Sequence, residues 1–533
     1  MVYGHQGRYK EAEPLFERAL FISEKALGTE HPDVATNLNN LAMVYSDRGN
    51  YEKAEPLFVR ALSICEKVLG PAHPNVGQNL NNLAGLYRSQ GKYKEAEPLF
   101  ERALFISENA LGTEHPNVGQ GLNNLGMVCY DLGRYKDAEP LFERAISIHE
   151  KALGPAHPNV ALGLNNLAMI YGDLGRYEKS EPLSERALSI SENALGSAHP
   201  DVAVNLNNLA TVYGNQGRYK EAEPLLERAL SISEKTLGPA HPNVAIGLHN
   251  LAGLYRDQGR YKEAEPLFER ALSISEKALG AAHPEIAHHL NSLAGLSRAQ
   301  GQYEKARSFS ARALSIYEKV LDPAHPSITN SLGIIAMAYS DQGRYKEAEP
   351  LFERALSVIE KALGPAHPKV AINLNNLAAL YRNQGRYKEA EPLLERALSI
   401  SENALGAEHP DVALGLNNLT MNYLGQGRYE EAEPLSERAL SIYEKTLGPE
   451  HPNVGQSLSN LAMAYYDQGR YEEVEPLLER SLSISEKALG PEHPSIAKIL
   501  NDYALLFRKT GRNAAAERLE SRAAIIKDKY SSL

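Results

Sequence analysis

Apolar residues recur along this chain at helical spacing, in two stripes that alternate from one end to the other. In residues 32–69 the first stripe lies on one side of a helix and comprises Val34, Leu38, Leu41, Ala42 and Tyr45. The second stripe comprises Tyr51, Ala54, Phe58, Ala61, Leu62 and Leu69. No segment alternates apolar and polar residues with the period of two that a half-buried strand shows. The pattern therefore predicts an all-α chain built from pairs of helices.

Glycine and proline mark the helix ends that the stripes predict. Gly49 separates the two stripes, and a tight turn between helices favours a residue without a side chain. Gly70 follows the second stripe, where a helix commonly ends in a left-handed residue. Pro74 stands in the first turn of the next helix, where its missing N–H costs no hydrogen bond. The predicted unit is therefore a helix, a tight turn, a second helix and a short loop.

This unit repeats with a period of 42 residues. Gly7-Arg8-Tyr9 recurs at that spacing as far as Gly469-Arg470-Tyr471, and His31-Pro32 recurs as far as His493-Pro494. All seven methionines occupy a single position of the unit. A fixed period of this length is typical of solenoids, in which each unit packs only on its neighbours. We therefore predict one continuous stack of helix pairs instead of several globular domains.

The residues of the repeat resemble those of a known family. Ala42, Ala54 and Ala61 are small residues where two helices approach closely, as in the tetratricopeptide repeat. The stretches GRYKEAEPL at 343–351, ALGPAHP at 362–368 and LNNLA at 374–378 are similar to the 42-residue repeats of kinesin light chains. The resemblance covers the whole chain. It implies a right-handed superhelix, an α-solenoid, with an inner groove that can hold a partner.

The repeat also suggests three segments. Residues 1–31 are expected to be a truncated first repeat in which only the second helix is complete, because Met1-Val2-Tyr3 matches Met43-Val44-Tyr45. Residues 32–510 are expected to be tandem repeats, and residues 511–533 a capping helix with a tail, rich in Glu, Arg and Lys. The chain is therefore interpreted as a fragment, with upstream repeats or another domain missing.

An asparagine recurs on the side of the first helix that lines the groove in tetratricopeptide arrays. By resemblance, the second asparagine of Leu-Asn-Asn-Leu lies where related proteins hold a peptide backbone. An amide both donates and accepts hydrogen bonds, so it can pair with an extended chain of any sequence. The groove candidates at this position are Asn40, Asn82, Asn124, Asn166, Asn208, Asn250, Asn376, Asn418 and Asn460.

Two further sets of side chains accompany these asparagines. Methionine beside them offers an adaptable apolar contact, at Met43, Met127 and Met169. The last turn of the helix carries Arg88, Arg256, Arg298 and Arg382 in some repeats, and Asp47, Asp131, Asp173 and Asp467 in others. The same side also carries Asn39 and Ser46. The charge of the ligand stays open. So does the alternative that the asparagines bond the neighbouring helix and that the methionines fill gaps.

Residues 283–336 depart from the repeat. The asparagine ladder is interrupted at Ser292 and Ile334, Ser308 replaces the proline of the second helix, and Asp322 replaces the loop glycine. Either the groove changes character here, as a specificity pocket or a bend, or one redundant repeat has drifted.

Composition narrows the function. The net charge is −11 and no basic stripe is visible, so we expect no nucleic-acid partner. No apolar run approaches the roughly 20 residues that span a membrane, so we expect no membrane partner. Two cysteines, Cys65 and Cys129, fit a reducing cytoplasm, and Cys129 is expected to be buried. Twelve of the 17 histidines belong to His-Pro pairs, where repetition indicates a helix-start role. We predict no catalytic residue, cofactor or metal site.

These observations favour a non-enzymatic scaffold for protein–protein interaction that binds extended peptides or protein segments in its groove. The alternative is the regulatory or sensor arm of a larger signalling protein, such as a nucleotide-dependent ATPase, whose catalytic domain lies upstream. A spacer without a ligand is a third possibility. The identity of the ligand and the oligomeric state stay open.

Overall fold

This computed structural model describes residues 9–531, which contain 25 helices joined by short turns and loops, and no strand. The first helix of each repeat begins at the proline of a His-Pro pair. These helices are α2 Pro32–Asp47, α4 Pro74–Ser89, α6 Pro116–Asp131, α8 Pro158–Asp173, α10 Pro200–Asn215, α12 Pro242–Asp257, α14 Pro284–Ala299, α16 Pro326–Asp341, α18 Pro368–Asn383, α20 Pro410–Gly425, α22 Pro452–Asp467 and α24 Pro494–Lys509.

The second helix begins, in all but the last case, at the tyrosine that follows the turn glycine by two residues. These helices are α1 Tyr9–Leu27, α3 Tyr51–Leu69, α5 Tyr93–Leu111, α7 Tyr135–Leu153, α9 Tyr177–Leu195, α11 Tyr219–Leu237, α13 Tyr261–Leu279, α15 Tyr303–Val320, α17 Tyr345–Leu363, α19 Tyr387–Leu405, α21 Tyr429–Leu447, α23 Tyr471–Leu489 and α25 Asn513–Ser531. The described residues therefore form twelve helix pairs preceded by one second helix.

Each first helix starts and stops on the signals that the sequence contains. The Nδ1 atom of His31 accepts a hydrogen bond of 3.1 Å from the N–H of Asp33, so the histidine caps the helix that Pro32 opens. At the other end Gly49 has φ +69, a conformation that costs glycine little. The N–H of Asn50 bonds the carbonyl of Tyr45 at 2.8 Å and closes the helix end. Twelve histidines act as caps in this way, which confirms the predicted helix-start role.

The core runs along the stack between the two layers of helices. Ala42, Ala54 and Ala61 are fully buried where the helices cross, and Phe58 fills the space beside them. Burying a side chain of that size stabilises the fold by about 2 kcal/mol. Successive first helices contact one another along the chain, whereas second helices pack chiefly on first helices. The first helices therefore form the inner layer of a right-handed superhelix, and the second helices form the outer layer.

The superhelix winds tightly enough to contact itself. His409 lies 236 residues after Asp173, yet its Nε2 atom is 2.7 Å from the carbonyl oxygen of Asp173 at the end of α8. A Cβ atom added to Gly175 would lie 2.5 Å from Cδ of Pro410. The same approach brings Gly49, Gly91, Gly133 and Gly217 against the His-Pro pairs that begin at His283, His325, His367 and His451. We call this set of contacts the turn-to-turn interface.

The turn-to-turn interface divides identical sequence motifs into two environments. The side chains of His31 and His199, in the first turn of the superhelix, are 40% and 41% exposed, whereas that of His409 is 6% exposed. Burial in the interface, assisted by nearby Asp47 and Glu285, raises the pKa of Tyr51 to about 12. A cavity of about 910 Å³ lies in the interface between residues 174–178 and 216–218 of one turn and residues 405–409 and 445–451 of the next.

The divergent segment keeps the architecture of the other repeats. α15 is one residue shorter than most second helices, because Leu321, which is equivalent to the leucine that ends the others, is extended with φ −108. Asp322 takes the place of the loop glycine and does not have a positive φ. The carboxylate of Asp322 accepts a hydrogen bond of 2.8 Å from the N–H of Ala324 and holds the loop instead. His325 still caps the next helix through the N–H of Ser327. The stack therefore continues through this segment.

Candidate functional site: the inner face

The predicted asparagines lie together on the inner layer of the superhelix. All nine occupy equivalent positions of the first helices; Asn460 is buried and the other eight are half-buried. Because successive first helices are in contact, these side chains form a row along the inner face, which is interrupted at Ser292 and Ile334. The structure therefore brings the predicted groove residues into one surface.

Several of the amide hydrogen bonds on this face join adjacent repeats. The Nδ2 atom of Asn82 donates to Oδ1 of Asn39 over 3.4 Å, and Asn250 donates to Asn207 over 3.2 Å. Asn124 donates to Asn81 over 3.4 Å. In three repeats, therefore, the second asparagine of one repeat is a donor to the first asparagine of the repeat before it. These bonds stabilise the stack and occupy part of the capacity that the sequence suggested for a ligand.

The first asparagine of the pair lies deeper than expected. The sequence placed Asn39 on the groove side, but its side chain is only 9% exposed and sits between two first helices. There its Nδ2 donates to Oδ1 of Asn79 in the next repeat. Asn79 in turn donates to the carbonyl of Asn75 at 2.7 Å. The reason is helical geometry, because adjacent residues on a helix point in different directions.

The methionines differ in how far they reach the surface. Met43 is exposed, whereas Met127 and Met169 are half-buried. Met127 packs on the core cluster that contains Phe142. Met43 can therefore contact a ligand directly, while Met127 also fills space between helices.

The arginines of the last turn have partners within the protein. Arg88 Nε lies 2.5 Å from Asp131 Oδ2, and Arg298 Nε lies 2.6 Å from Asp341 Oδ2 in the next repeat. Arg256 pairs with the neighbouring Asp257 at 2.8 Å. Because positive and negative charges pair between repeats, the inner face carries little net field of one sign at these positions.

Arg382 is held differently from the other three arginines. Its Nη1 atom donates to the carbonyl of Asn418 over 3.2 Å, and burial lowers the pKa of its guanidinium below the usual value. The side chain therefore joins α18 to α20 and contributes to the stack.

A set of apolar side chains on the inner face was missed by the sequence reasoning. Four residues before the second asparagine, each first helix exposes one side chain on the same face. We call these the inner column: Thr36, Gln78, Gln120, Leu162, Val204, Ile246, His288, Asn330, Ile372, Leu414, Gln456 and Lys498. Its five apolar members are between 43% and 51% exposed. The sequence contains a signal for this column, because Leu, Val or Ile occupies in five repeats a position that is polar in the others.

Histidines replace the inter-repeat amides where the repeat diverges. The Nδ1 atoms of His249 and His289 are 3.0 Å apart, and Nε2 of His289 is 3.0 Å from Oγ of Ser275. His288 is exposed and points in a different direction from His289, as expected for adjacent residues of a helix. Its ring stacks on the ring of His249. Burial lowers the pKa of His289 to about 3, so this chain of contacts uses neutral rings. In the described part of the chain no group of three or more His, Cys, Asp or Glu side chains is arranged to hold a metal ion.

Both cysteines lie in the interior of the stack. Cys65 and Cys129 are free thiols and are buried, as predicted for Cys129. Burial raises the pKa of the Cys129 thiol to about 11, which keeps it protonated and unreactive near neutral pH.

Across residues 9–531, none of the helices combines the length and the apolar character that crossing a membrane requires.

The fold and the inner face define an α-solenoid of helix pairs whose first helices line the concave side. The chain belongs to the tetratricopeptide repeat family, because the family model matches it in twelve overlapping stretches from residues 1–67 to residues 454–524. The fold of this family is a non-catalytic scaffold type. None of the curated proteins compared with this chain matches it.

Several solved structures are similar to parts of the chain. The nearly identical TPR-like repeats of a putative kinesin light chain from Podosopora anserina share 32% identity over 38% of this chain and 97% of that one, with a TM-score of 0.34. BtubC (BKLC) from P. vanneervenii shares 24% identity over 43% of this chain and 92% of its own, with a TM-score of 0.36. A Rap protein complexed with competence and sporulation factor shares 15% identity over 70% and 99%, with a TM-score of 0.48.

Proposed function

We propose that this protein is an interaction scaffold whose inner face binds an extended segment of a partner protein. The observation that carries the proposal is the exposed apolar part of the inner column. Leu162, Val204 and Ile246 stand on three successive repeats, and Ile372 and Leu414 stand on two more. Exposed aliphatic side chains that line up on one concave face mark a surface for a partner.

The two apolar blocks lie on the same side of the superhelix. The end of α8, which carries Leu162, meets the start of α20, which carries Leu414, through Gly175 and Pro410. The two helices therefore follow one another along the superhelix axis, and their apolar side chains face the same side of the interior. The neighbouring repeats widen this area to the other three apolar residues. A polar surface surrounds it, since Gln78 and Gln120 precede it and Gln456 follows it in the inner column.

The chemistry of the inner face indicates what kind of segment would bind. Aliphatic side chains at intervals of one repeat suit a segment with several spaced apolar residues. The half-buried asparagines beside them retain carbonyl or amide edges for a peptide backbone. Because Arg88 and Arg298 are paired with aspartates, the surface has no strong preference for either charge. The proposed partner is therefore a protein segment of moderate polarity, with no role for nucleic acid or membrane.

A binding selection on the whole chain tests the proposal. A display library of random peptides is selected against the protein, and the affinity of the enriched peptides is measured by calorimetry. The inner variant combines Leu162→Ser, Val204→Ser and Ile246→Ser. We expect it to bind the enriched peptides at least about tenfold more weakly, because three apolar contacts of roughly 0.5–1 kcal/mol each are removed.

A matched outer variant controls for the loss of exposed apolar area. It combines Val59→Ser, Val68→Ser and Phe105→Ser, which are exposed side chains of second helices in the outer layer. We expect this variant to bind like the unmodified protein. If no peptide is enriched, or if both variants bind equally well, the inner face is not the binding surface and the chain acts as a spacer.

We also propose a cytoplasmic location, because both cysteines are buried free thiols, which fits a reducing compartment.

A further inference from the structure

We propose that the turn-to-turn interface is a gate, and that a partner segment reaches the inner face when two successive turns of the superhelix separate. The gate rests on the proposed function and adds the regulation of that same site, because it decides how a bound segment enters and leaves. First helices touch side by side, successive turns touch end to end, and the end-to-end contacts are the sparser of the two.

One turn of the superhelix contains six repeats. The end of α8 meets the start of α20, which is the sixth first helix after it. The same offset joins α2 to α14, where a Cβ atom added to Gly49 would lie 2.8 Å from Cδ of Pro284. First helices of successive turns therefore follow one another end to end.

The wall of the superhelix is closed around one complete turn. Side by side, each first helix from α2 to α24 contacts the next one. End to end, five consecutive turn glycines meet a His-Pro pair of the following turn, namely Gly49, Gly91, Gly133, Gly175 and Gly217. At the sixth, Gly259 and His493 line one cavity of about 350 Å³. Within the described residues, the four cavities along this interface are lined by no member of the inner column. The interface therefore separates the inner face from the outside.

The interior of the superhelix is about as wide as one segment of chain. Helices in contact lie about 8–10 Å apart, so a ring of six leaves at its centre a space of about the width of one more helix. The side chains of Val204 and Ile246 on the inner face are 50% and 43% exposed, which leaves them open to a single strand or helix. A folded domain does not fit. A segment that joins two folded domains therefore cannot be threaded along the axis, whatever the length of the stack.

The contacts between turns are the weak part of this wall. They are sparse compared with those between neighbouring repeats. Each joins one turn glycine to one His-Pro pair, and cavities of about 910 and 630 Å³ lie beside Gly175 and Gly217 at the same interface. The spacing of the turns is the sum of small rotations between repeats, so the turns can part while every helix pair stays intact.

A gate of this kind changes rates and leaves affinity nearly unchanged. The turns are closed in the free protein and closed again around a bound segment. A weaker interface therefore lowers the barrier to entry and the barrier to exit by the same amount. Damage to the inner face itself would instead weaken binding, chiefly through faster release.

Entry of a blocked segment tests the gate. A peptide enriched by the selection described above is placed between two small folded domains, and its association and dissociation rates with the intact protein are measured by stopped-flow fluorescence. The gate variant Gly133→Ala with Gly175→Ala drives new Cβ atoms against His367 and Pro410. We expect both rates to rise at least about tenfold while the dissociation constant changes less than about threefold.

A second variant and a matched control accompany the glycine variant. His409→Asn with His451→Asn keeps the helix caps, but its side chains are too short to span the interface, so we expect faster entry and exit here too. The control is Gly364→Ala with Gly406→Ala. These glycines lie in the loops that end at His367 and His409, with φ +87 and +98, and a Cβ atom added to either meets nothing within 4 Å. We expect the control to show the rates of the unmodified protein.

The outcomes separate the gate from the proposed function. Unchanged rates in both gate variants, an equal rise in the control, or a blocked segment that binds none of these proteins would overturn the gate. In each of those cases the peptide without flanking domains still loses affinity in the variant with Leu162→Ser, Val204→Ser and Ile246→Ser if the proposed function holds. If no peptide is enriched, or if that variant binds normally, the proposed function fails and the gate fails with it.

Discussion

The histidine of each His-Pro pair uses its two ring nitrogens for different contacts. Because Nδ1 accepts the N–H of the residue two positions later, the proton of the neutral ring resides on Nε2. In His409 this Nε2 donates to the carbonyl of Asp173 one superhelical turn away, at 2.7 Å. In His199 the same dipeptide begins a helix whose histidine is 41% exposed. One residue type therefore caps a helix everywhere and joins two turns only where the chain meets itself.

The turn glycines give a prediction at the scale of a single residue. Gly175 and Gly427 have φ +64 and +72, so Gly→Ala at either position introduces left-handed strain of about 1–2 kcal/mol. At Gly175 the new Cβ also meets Pro410, whereas at Gly427 it contacts only the ring of Tyr429. We expect Gly175→Ala to lower the midpoint of thermal unfolding clearly more than Gly427→Ala does. Equal shifts for the two variants would show that the turns do not press on each other in solution.

Among the helices, the end-to-end stacking of first helices is the contact that the sequence did not predict. Helix ends need partners for their unpaired N–H and C=O groups, and here some of those partners come from another turn. The end of α8 accepts a bond from the residue that caps α20, so two helices far apart in sequence share one capping residue. The contact stabilises both helix ends at once.

Replacing the capping histidine by asparagine separates its contribution to the helix cap from its contribution to the bond between turns. An asparagine caps a helix about as well as the best residues do, but it is shorter. We expect His115→Asn to leave α6 unchanged, because His115 makes the cap bond in the first turn of the superhelix. We expect His409→Asn to cost about 1 kcal/mol, the net value of the lost bond to Asp173.

Hydrogen exchange measures this difference locally. The amides in the first turn of α20 and of its neighbours should exchange faster in the His409→Asn variant, whereas those of α6 should be unaffected by His115→Asn. Faster exchange in both variants would mean that asparagine caps these helices poorly. No change in either would mean that the bond to Asp173 contributes nothing.

How far the sequence predicted the helices depends on whether a feature is local. The starts at Pro32 and Tyr51, the turn at Gly49 and the buried Ala54 follow from residues within one repeat, and the structure confirms them. The inner face was expected from the resemblance, and the structure places the nine asparagines on the first helices, while their role in holding a peptide stays a prediction. The prediction that Asn39 lies on the groove was wrong, because adjacent residues of a helix point in different directions and Asn39 is buried between two first helices.

The turn-to-turn interface could not be predicted from one repeat, because it depends on the whole molecule. A small rotation from each repeat to the next accumulates along the stack, and the sum decides whether successive turns meet. That rotation is set by how side chains fit between repeats, and not by the pattern of apolar positions. His199 and His409 begin identical dipeptides, and nothing in their local sequence shows that one is exposed and the other buried.

For the whole molecule, the buried histidines make the spacing of the turns sensitive to acid. Burial lowers the pKa of His283, His325 and His451 to about 4, from an ordinary value of about 6.5. Because the pKa of these rings is lower in the folded protein than in the unfolded chain, the closed interface favours the neutral form of the ring. Its stability is therefore complete above about pH 6.5 and declines as the pH falls towards 4.

The charged groups around these rings modify the size of the effect but not its sign. Lys369 lowers the pKa of His325 further, and Asp322 opposes it. Burial raises the pKa of the carboxyl groups of Asp47 and Asp173, which favours the closed interface at the acidic end of the window because their buried charge is then neutralised. Several histidines titrate together in this range. Between about pH 6 and 5 we therefore expect the stability lost by protonating them to exceed the stability gained by protonating the two carboxyl groups.

We therefore expect the superhelix to extend between pH 6.5 and 4.5 before its helices unfold. Small-angle scattering should show a larger maximum dimension while circular dichroism shows nearly unchanged helix content. Protonation at Nδ1 removes the cap bond at a helix start, but it leaves the backbone bonds within the helix in place. A variant with His283→Asn, His325→Asn and His451→Asn keeps its helix caps and loses these titrating groups. It should be more extended at neutral pH and should change less with acid. If the unmodified protein keeps one shape across this range, or if the variant responds to acid as strongly, the histidines do not hold the turns together.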